Sequence, residues 1–588
     1  MLRRRLTLAA VPLSVATLVL AGCATQTVVP SSSTSSTSED SAVQATAVVD
    51  SDLTADAVLT ANADVTVVDD DEWAESDALD ITLTGSTASS DADAVTIDGA
   101  TVTITEAGVF RLSGSLSGQV IVAAPDDAQV VLILDDAAIS ASDSPAITVA
   151  TADDVAIALA DGTSNTVSDA SSYADDAEAN AAIYSDADLT ITGSGALEVS
   201  GNGNDAIAST DDLVVLSGEI TVDAADDALR GKDSLTVAGG TLVLEAGGDA
   251  VKSDQDEDAT QGFIVVSGGE LTATSGDDGL AATTDAVITG GTVDITAGSD
   301  ASATEDASKG VSAGVVAVID GGDVTIDAAD DGLHSDGSIG IGGGTVTVSA
   351  GDDGIHAEQA LEIRDGDVTV TESVEGLEAA AITVSGGTVD VTASDDGVNA
   401  ASGTTATTGQ SPQAGQGGMG GGGEADSGET LTVSGGTLRV DAAGDGLDSN
   451  GSISVTGGTT TVAGPSSSGG QGAIDANGEI ALDGGEVFIA GSVLVAPTGT
   501  QQWIAATATG SAGDAVEVTD AAGAVIASFE ADQAFAAVFY SGPAVTDGGS
   551  YTITVNGTSV ATVTEGTNVS SGMGGPGGGQ GGGGGRRP

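Results

Sequence analysis

Cysteine is almost absent from this chain. Cys23 is the single one in 588 residues, so no disulfide can form within one chain and cysteine-based zinc or redox sites are excluded. Histidine occurs only twice, at His334 and His356, so a His-rich zinc motif is excluded too. Aromatic residues make up 2% of the chain, too few to line its length with the stacked rings typical of sugar sites. Basic residues number 12 against 89 acidic ones, for a net charge of −77. That field repels nucleic acid and anionic lipid and attracts cations, so no nucleic-acid partner is expected. High acidity also keeps proteins soluble in strong salt, and part of it is readable as a habitat signature. No catalytic triad and no phosphate-binding loop appears.

What the chain does have begins at its N-terminal end. Arg3, Arg4 and Arg5 precede an apolar run over residues 6–20, closed by Leu20-Ala21-Gly22-Cys23. This order resembles a bacterial lipoprotein signal, with residues 1–22 removed and Cys23 lipidated; an ordinary signal peptide ending beside a cysteine is the alternative. No later apolar run is long enough to span a bilayer, so the expectation is a secreted protein, lipid-anchored at the bacterial cell membrane and facing outward. Residues 23–77, rich in Ser, Thr, Ala and Asp with little periodicity, read as a disordered tether.

The middle of the chain repeats. An acidic residue followed by Gly or Ala and a branched aliphatic recurs at Asp205, Asp227, Asp249, Asp278, Asp331, Asp353, Glu375, Asp396 and Asp445, with Lys309 substituting once. Most steps are 22 residues or close to it, and the longer ones contain insertions. A short fixed period means a solenoid, whose repeats bury their apolar sides by stacking. Within one repeat, Ile339 and Ile341, then Val346 and Val348, alternate with polar residues around Gly342-Gly343-Gly344. Two short strands split by Gly and Asp turns leave no room for a helix. The fold class expected is therefore all-β: a parallel β-helix over residues 78–500, with a Gly-rich loop inserted at 402–429. A small β segment at 501–563 would cover the open end, and a Gly-rich tail follows at 564–588. A monomer is expected.

Stacked coils would bring successive acids to about 5 Å, a repulsion on the order of 3 kcal/mol at an effective dielectric of 20. Two chemistries fit such columns. Carboxylates of adjacent coils can share Ca²⁺, a hard cation wanting six to eight oxygens, or Asp can simply suit the turn before Gly. The doubling of the columns, as in Asp226-Asp227 and Asp330-Asp331, favours calcium. The candidate metal ligands are Asp227, Asp249, Asp278, Asp331, Asp353 and Asp396, joined by Asp254 and Asp256 of the acidic run 254–258, which reads equally as a solvated loop. A further column runs three positions after each acid, from basic to acidic. Arg230, Lys252, His334, His356 and Asn399 in it are the candidate ligand-binding residues. The two histidines would be stacked neighbours, fit for a transition metal or else simply polar flanks of an acidic turn. Arg230, Lys232 and Lys252 could serve a lyase, or balance the acids beside them.

Several segments in order, among them Asn180-Ala181-Ala182-Ile183-Tyr184-Ser185, Asp227-Ala228-Leu229-Arg230-Gly231-Lys232-Asp233 and Asp445-Gly446-Leu447-Asp448-Ser449-Asn450-Gly451, resemble the bacterial extracellular carbohydrate-binding β-helix family. The resemblance spans roughly residues 80–560. It implies a fold similar to that of polysaccharide lyases, calcium between coils, and binding of cellulose or acidic sugar polymers without established cleavage. Lys309 and Gly444 depart from the acidic columns. The expected function is thus calcium-stabilised polysaccharide binding at the cell surface, without catalysis; a calcium-dependent polysaccharide lyase and a structural adhesin or spacer are the alternatives.

Overall fold

A computed structural model describes residues 52–174, 177–298, 308–402, 426–466, 472–492 and 496–567. Cys23, the signal at 1–22, most of the Gly-rich insertion and the C-terminal tail lie outside the described residues. Among those described, the chain is almost entirely strand, and no helix is long and apolar enough to cross a membrane.

The repeat folds as three strands, one more than its alternation pattern shows. In the repeat opening at Asp331 they are Leu333–Ser335, Ser338–Ile341 and Thr345–Ala350. Each pairs in parallel with its counterpart one repeat on: Leu333 with Ile355, Ser338 with Ala360 and Thr345 with Asp367. The result is a solenoid of parallel strands, all-β as expected. Leu333, Ile339, Ile341, Val346 and Val348 point inward and are fully buried. They continue one apolar core that runs from Ile81 to Phe539. The three-residue strand escaped notice because it contributes one clear inward aliphatic, Leu333, and period-2 alternation needs at least two. The residue after the acid must be small for a steric reason. A Cβ on Gly332 would lie 2.2 Å from Val348 Cγ1 inside the core.

Residues 52–77, expected to be part of a solvated tether, are instead bound to the solenoid. A short helix, Ala55–Ala61, is capped by Thr54 and sets Ala55 and Val58 against Val287 and Val318. Seven residues cannot hold a helix alone, so docking sustains it. The segment then runs against the winding direction. The Ala55 N–H donates to Asp320 (2.7 Å), Thr66 N–H to Asp212 (2.8 Å) and Val68 N–H to Thr190 (3.1 Å). Farther on, Trp73 packs near Val131 and Ile133. This strap covers the outer face of the sheet containing Asp285–Ile288 and Val316–Ile319, which explains why Val287 and Val318 are apolar on the side opposite the core.

At the other end, Ile480–Gly491 pairs antiparallel with Phe535–Ser541, which pairs antiparallel with Trp503–Gly510. Phe539 and Trp503 stack with centroids 5.7 Å apart at the end of the core. A separate four-stranded sheet, formed from strands between Ala515 and Thr564, packs its own cluster of apolar residues around Tyr540 and Ile553. The switch from parallel to antiparallel pairing covers the outer edge of Ile480–Gly491, which would otherwise be a template for another chain.

At Gly340 the strap lies directly against the coil: a Cβ there would lie 2.2 Å from the Leu53 carbonyl oxygen. Gly340→Val is expected to lift the first turn of the strap, at a cost of about 1–3 kcal/mol for overpacking. Hydrogen exchange should rise across residues 53–68 and stay slow at Val346 and Val348. Unchanged exchange in the strap would count against its being a fixed part of the fold.

Candidate metal and ligand column

The acidic stations are built by the turn that starts each coil, and their two carboxylate oxygens do different things. One oxygen accepts the backbone N–H of the next station. Asp205 Oδ1 takes it from Asp227 (3.3 Å), Asp227 from Asp249 (2.9 Å), Asp249 from Asp278 (2.9 Å) and Asp278 from Lys309 (2.7 Å). Beyond the interruption, Asp331 takes it from Asp353 (3.1 Å) and Asp396 from Asp445 (2.6 Å). The turn role is therefore real, and it occupies only Oδ1. In the ion pairs of Asp227, Asp249, Asp331 and Asp353 it is Oδ2 that faces the residue three positions after a station.

That second column is continuous in the strand register. Arg230 lies beside Lys252, Ser312 beside His334, His334 beside His356, His356 beside Glu378, Glu378 beside Asn399 and Asn399 beside Asp448. All sit on the strand that opens each coil, Leu333–Ser335 in the repeat described above. The five predicted residues thus form one line with Glu378 and Asp448, which were not among the candidate ligand-binding residues. Both were visible as members of the basic-to-acidic column, but charge alone did not separate them from solvated acids.

Toward the N-terminal end the protein supplies its own cations. Lys252 Nζ sits 3.1 Å from Asp227 and 2.8 Å from Asp249, which together, against the burial that lowers it, hold the ammonium above its usual range. Burial and the neighbouring Asp249 still push Asp227 up to about 6, with Lys252 opposing. Arg230 donates from Nε (3.1 Å) and Nη2 (2.7 Å) to Asp254 and reaches Asp205 at 3.9 Å. Asp254 is thus engaged by an arginine, and Asp256 is exposed to solvent. The rest of their run forms a turn in which Asp258 accepts from Thr260. Lys309 Nζ pairs with Asp330 at 2.7 Å.

Past the histidines the column holds no basic residue. Burial, then a hydrogen bond with Glu375 and the charge of Asp353, push Glu378 up to about 10. Burial and the acids Asp331 and Glu375 push Asp353 up to about 7. Burial, then Asp445 and Asp395, push Asp396 up to about 7, and burial with Asp445 brings Asp448 to about 6. Asn399 donates from Nδ2 to Glu375 (2.8 Å), while its buried Oδ1 has no partner. Asp353, His356 and Glu378 bring ligand atoms within 4.8 Å of one another, as do Asp249, Asp277 and Asp278 at an earlier coil. Carboxylates that retain protons near neutrality, beside an orphaned amide oxygen, are a donor set suited to a hard cation.

With this geometry in view, the comparisons are informative. The family model for carbohydrate-binding domain-containing proteins matches residues 98–354 and 341–469, well over half of the chain. The chain belongs to this family. Among solved structures it is similar to a polysaccharide lyase-like protein from C. thermocellum, in its gadolinium derivative. The identity is 27%, over 46% of this chain and 93% of that one, with a TM-score of 0.35. No curated protein matches.

The shifts predict how stability varies with pH when divalent ions are removed. Asp353 and Asp396 bind protons in the folded state up to about 7, above their unfolded range, so their contribution is complete at low pH and is lost as pH rises through about 7. His334 has the same sign. Against its burial, Asp331 and Asp336 raise it to about 9, so its contribution holds below about 6.5 and fades toward 9. In chelator, the melting temperature should fall from pH 5.5 to pH 9. A flat or rising profile would contradict these environments.

Proposed function

We propose that this carbohydrate-binding family member is a parallel β-helix that holds polysaccharide along the face bearing the second column with the help of Ca²⁺. The protein would be tethered to the outer side of the bacterial membrane through a lipid on Cys23 and act as a monomer without a nucleic-acid partner. The observation that carries the calcium reading is the uncompensated end of the column: Glu375, Glu378, Asn399 and Asp396, with a buried amide oxygen unpaired and no basic residue among them. These residues would hold the ion. Among the earlier candidates, Asp227 and Asp249 already share the Lys252 ammonium, and Asp278 groups with Asp249 and Asp277. When bound, calcium supplies positive charge that an otherwise acidic face lacks, which suits uronate carboxylates and sugar hydroxyls. The strap occupies the sheet that contains Ser338–Ile341, and the column stands on a different one, that of Leu333–Ser335.

Binding without cleavage is favoured over lyase chemistry. A base must be able to accept the proton it abstracts. Lys252 is fixed as an ammonium between two carboxylates, and Arg230 is committed to Asp254. With polygalacturonate, no ultraviolet-absorbing unsaturated product is expected; its appearance, and its loss in Lys252→Ala, would reverse this assignment.

Calcium should raise the melting temperature more than magnesium or sodium at matched ionic strength, through a stability gain of about 2.7 kcal/mol at a hundredfold excess over its Kd. Retention of acidic polysaccharide should weaken on chelation. Glu378→Gln with Asn399→Ala should remove most of the calcium-specific gain. Equal effects of all three salts would reduce the column to turn chemistry.

A further inference from the structure

The two histidines stand apart from both halves of the column. They occupy the same register on consecutive coils, with ring centroids 5.0 Å apart and edge to face. Their Nδ1 atoms converge on one oxygen: His334 Nδ1 lies 2.8 Å and His356 Nδ1 3.5 Å from Asp331 Oδ2. Asp353 Oδ2 lies 3.5 Å from His356 Nδ1. Asp331 is buried, and its Oδ1 is already engaged by the Asp353 N–H, which fixes the direction of Oδ2.

From these positions we infer a transition-metal site, suited to Zn²⁺, formed by Asp331 Oδ2, His334 Nδ1, His356 Nδ1 and Asp353 Oδ2. Ligand bonds of 2.0–2.1 Å in a tetrahedron put neighbouring donor atoms roughly 3.3 Å apart. The three separations that involve an imidazole and a carboxylate in contact, 2.8, 3.5 and 3.5 Å, bracket that value. Calcium, with longer bonds and a preference for six to eight oxygens, is a poor match to a set with two imidazoles.

Two further observations point the same way. On the far side of the His334 ring, Nε2 lies 3.3 Å from Asp336 Oδ1, the outer carboxylate that metal-bound histidines characteristically engage. The buried His356 Nε2 has no partner, so the polar contacts of this ring come from the side where the carboxylates converge. Lys309, one coil earlier, is paired with Asp330 and leaves Asp331 to the histidines.

Because the chain has only two histidines, the test is clean in the full protein prepared without a histidine tag. After dialysis against chelator, Zn²⁺ should shift both imidazole C–H resonances together, saturating at one ion. Co²⁺ should give visible absorption bands that Zn²⁺ abolishes and a tenfold excess of Ca²⁺ does not. His334→Gln and His356→Gln should each weaken Co²⁺ binding at least tenfold, and Asp336→Asn by about 10–100-fold. Imidazole resonances unmoved by Zn²⁺ in the unsubstituted protein would overturn the site, whether or not the variants fold. So would Co²⁺ affinity preserved in a folded double variant.

Discussion

Stacking acids one above another is unfavourable unless something is gained at each step, and here the gain is a hydrogen bond. Six of the station carboxylates, those of Asp205, Asp227, Asp249, Asp278, Asp331 and Asp396, receive the N–H of the next station on Oδ1, at 2.6–3.3 Å. A charged acceptor makes such a bond roughly twice as strong as a neutral one. The bond also fixes the rotamer, so Oδ2 faces outward in a constant direction along the solenoid. The second column depends on this: its residues meet a row of oxygens whose placement is set by the backbone of the neighbouring coil. Where Lys309 replaces the acid, its backbone N–H still donates to Asp278 and its ammonium goes to Asp330.

The residues facing that row divide the solenoid into three electrostatic regimes. Arg230 and Lys252 neutralise the first, with cations built into the chain. The histidine pair occupies the middle with ligands softer than carboxylates. Glu378 and Asp448 face the last stretch with further negative charge, which burial makes costly unless protons or metal ions are taken up. One scaffold therefore repeats the same acid and changes its counter-charge. Membership of a carbohydrate-binding family gives this a context, since cations held on an acidic face are a means of meeting an anionic polymer.

Much of this was legible before any coordinates. A period of 22 residues and the alternation of Ile339, Ile341, Val346 and Val348 were enough for a stacked all-β solenoid, because both follow from burying one side of a strand. The two columns were legible from spacing alone, and the register joins their members as neighbours. The third strand was not, since three residues carry too little alternation. The strap was missed for a different reason. Its own composition is that of a loop, and the signal lay elsewhere, in the outward Val214, Val265, Val287 and Val318 of strands that are apolar on both faces. Spacing placed Asp254 and Arg230 on neighbouring coils, but not the paired contact that the guanidinium makes through Nε and Nη2.

The path of the strap also decides how the solenoid carries load. Tension applied to the chain ahead of residue 52 enters at Leu53, whose carbonyl is held by Arg364 at 2.8 Å, and not at the first strand, Leu79–Gly85. The segment runs back over the coils and is held by bonds spaced along it, from Asp320 to Asp212 to Thr190. Pulled away from the sheet, these contacts open one after another like a zip, each at low force. Pulled along the sheet, they share the load in shear. The angle of pull, more than the strength of any one contact, would then set whether the strap holds or peels.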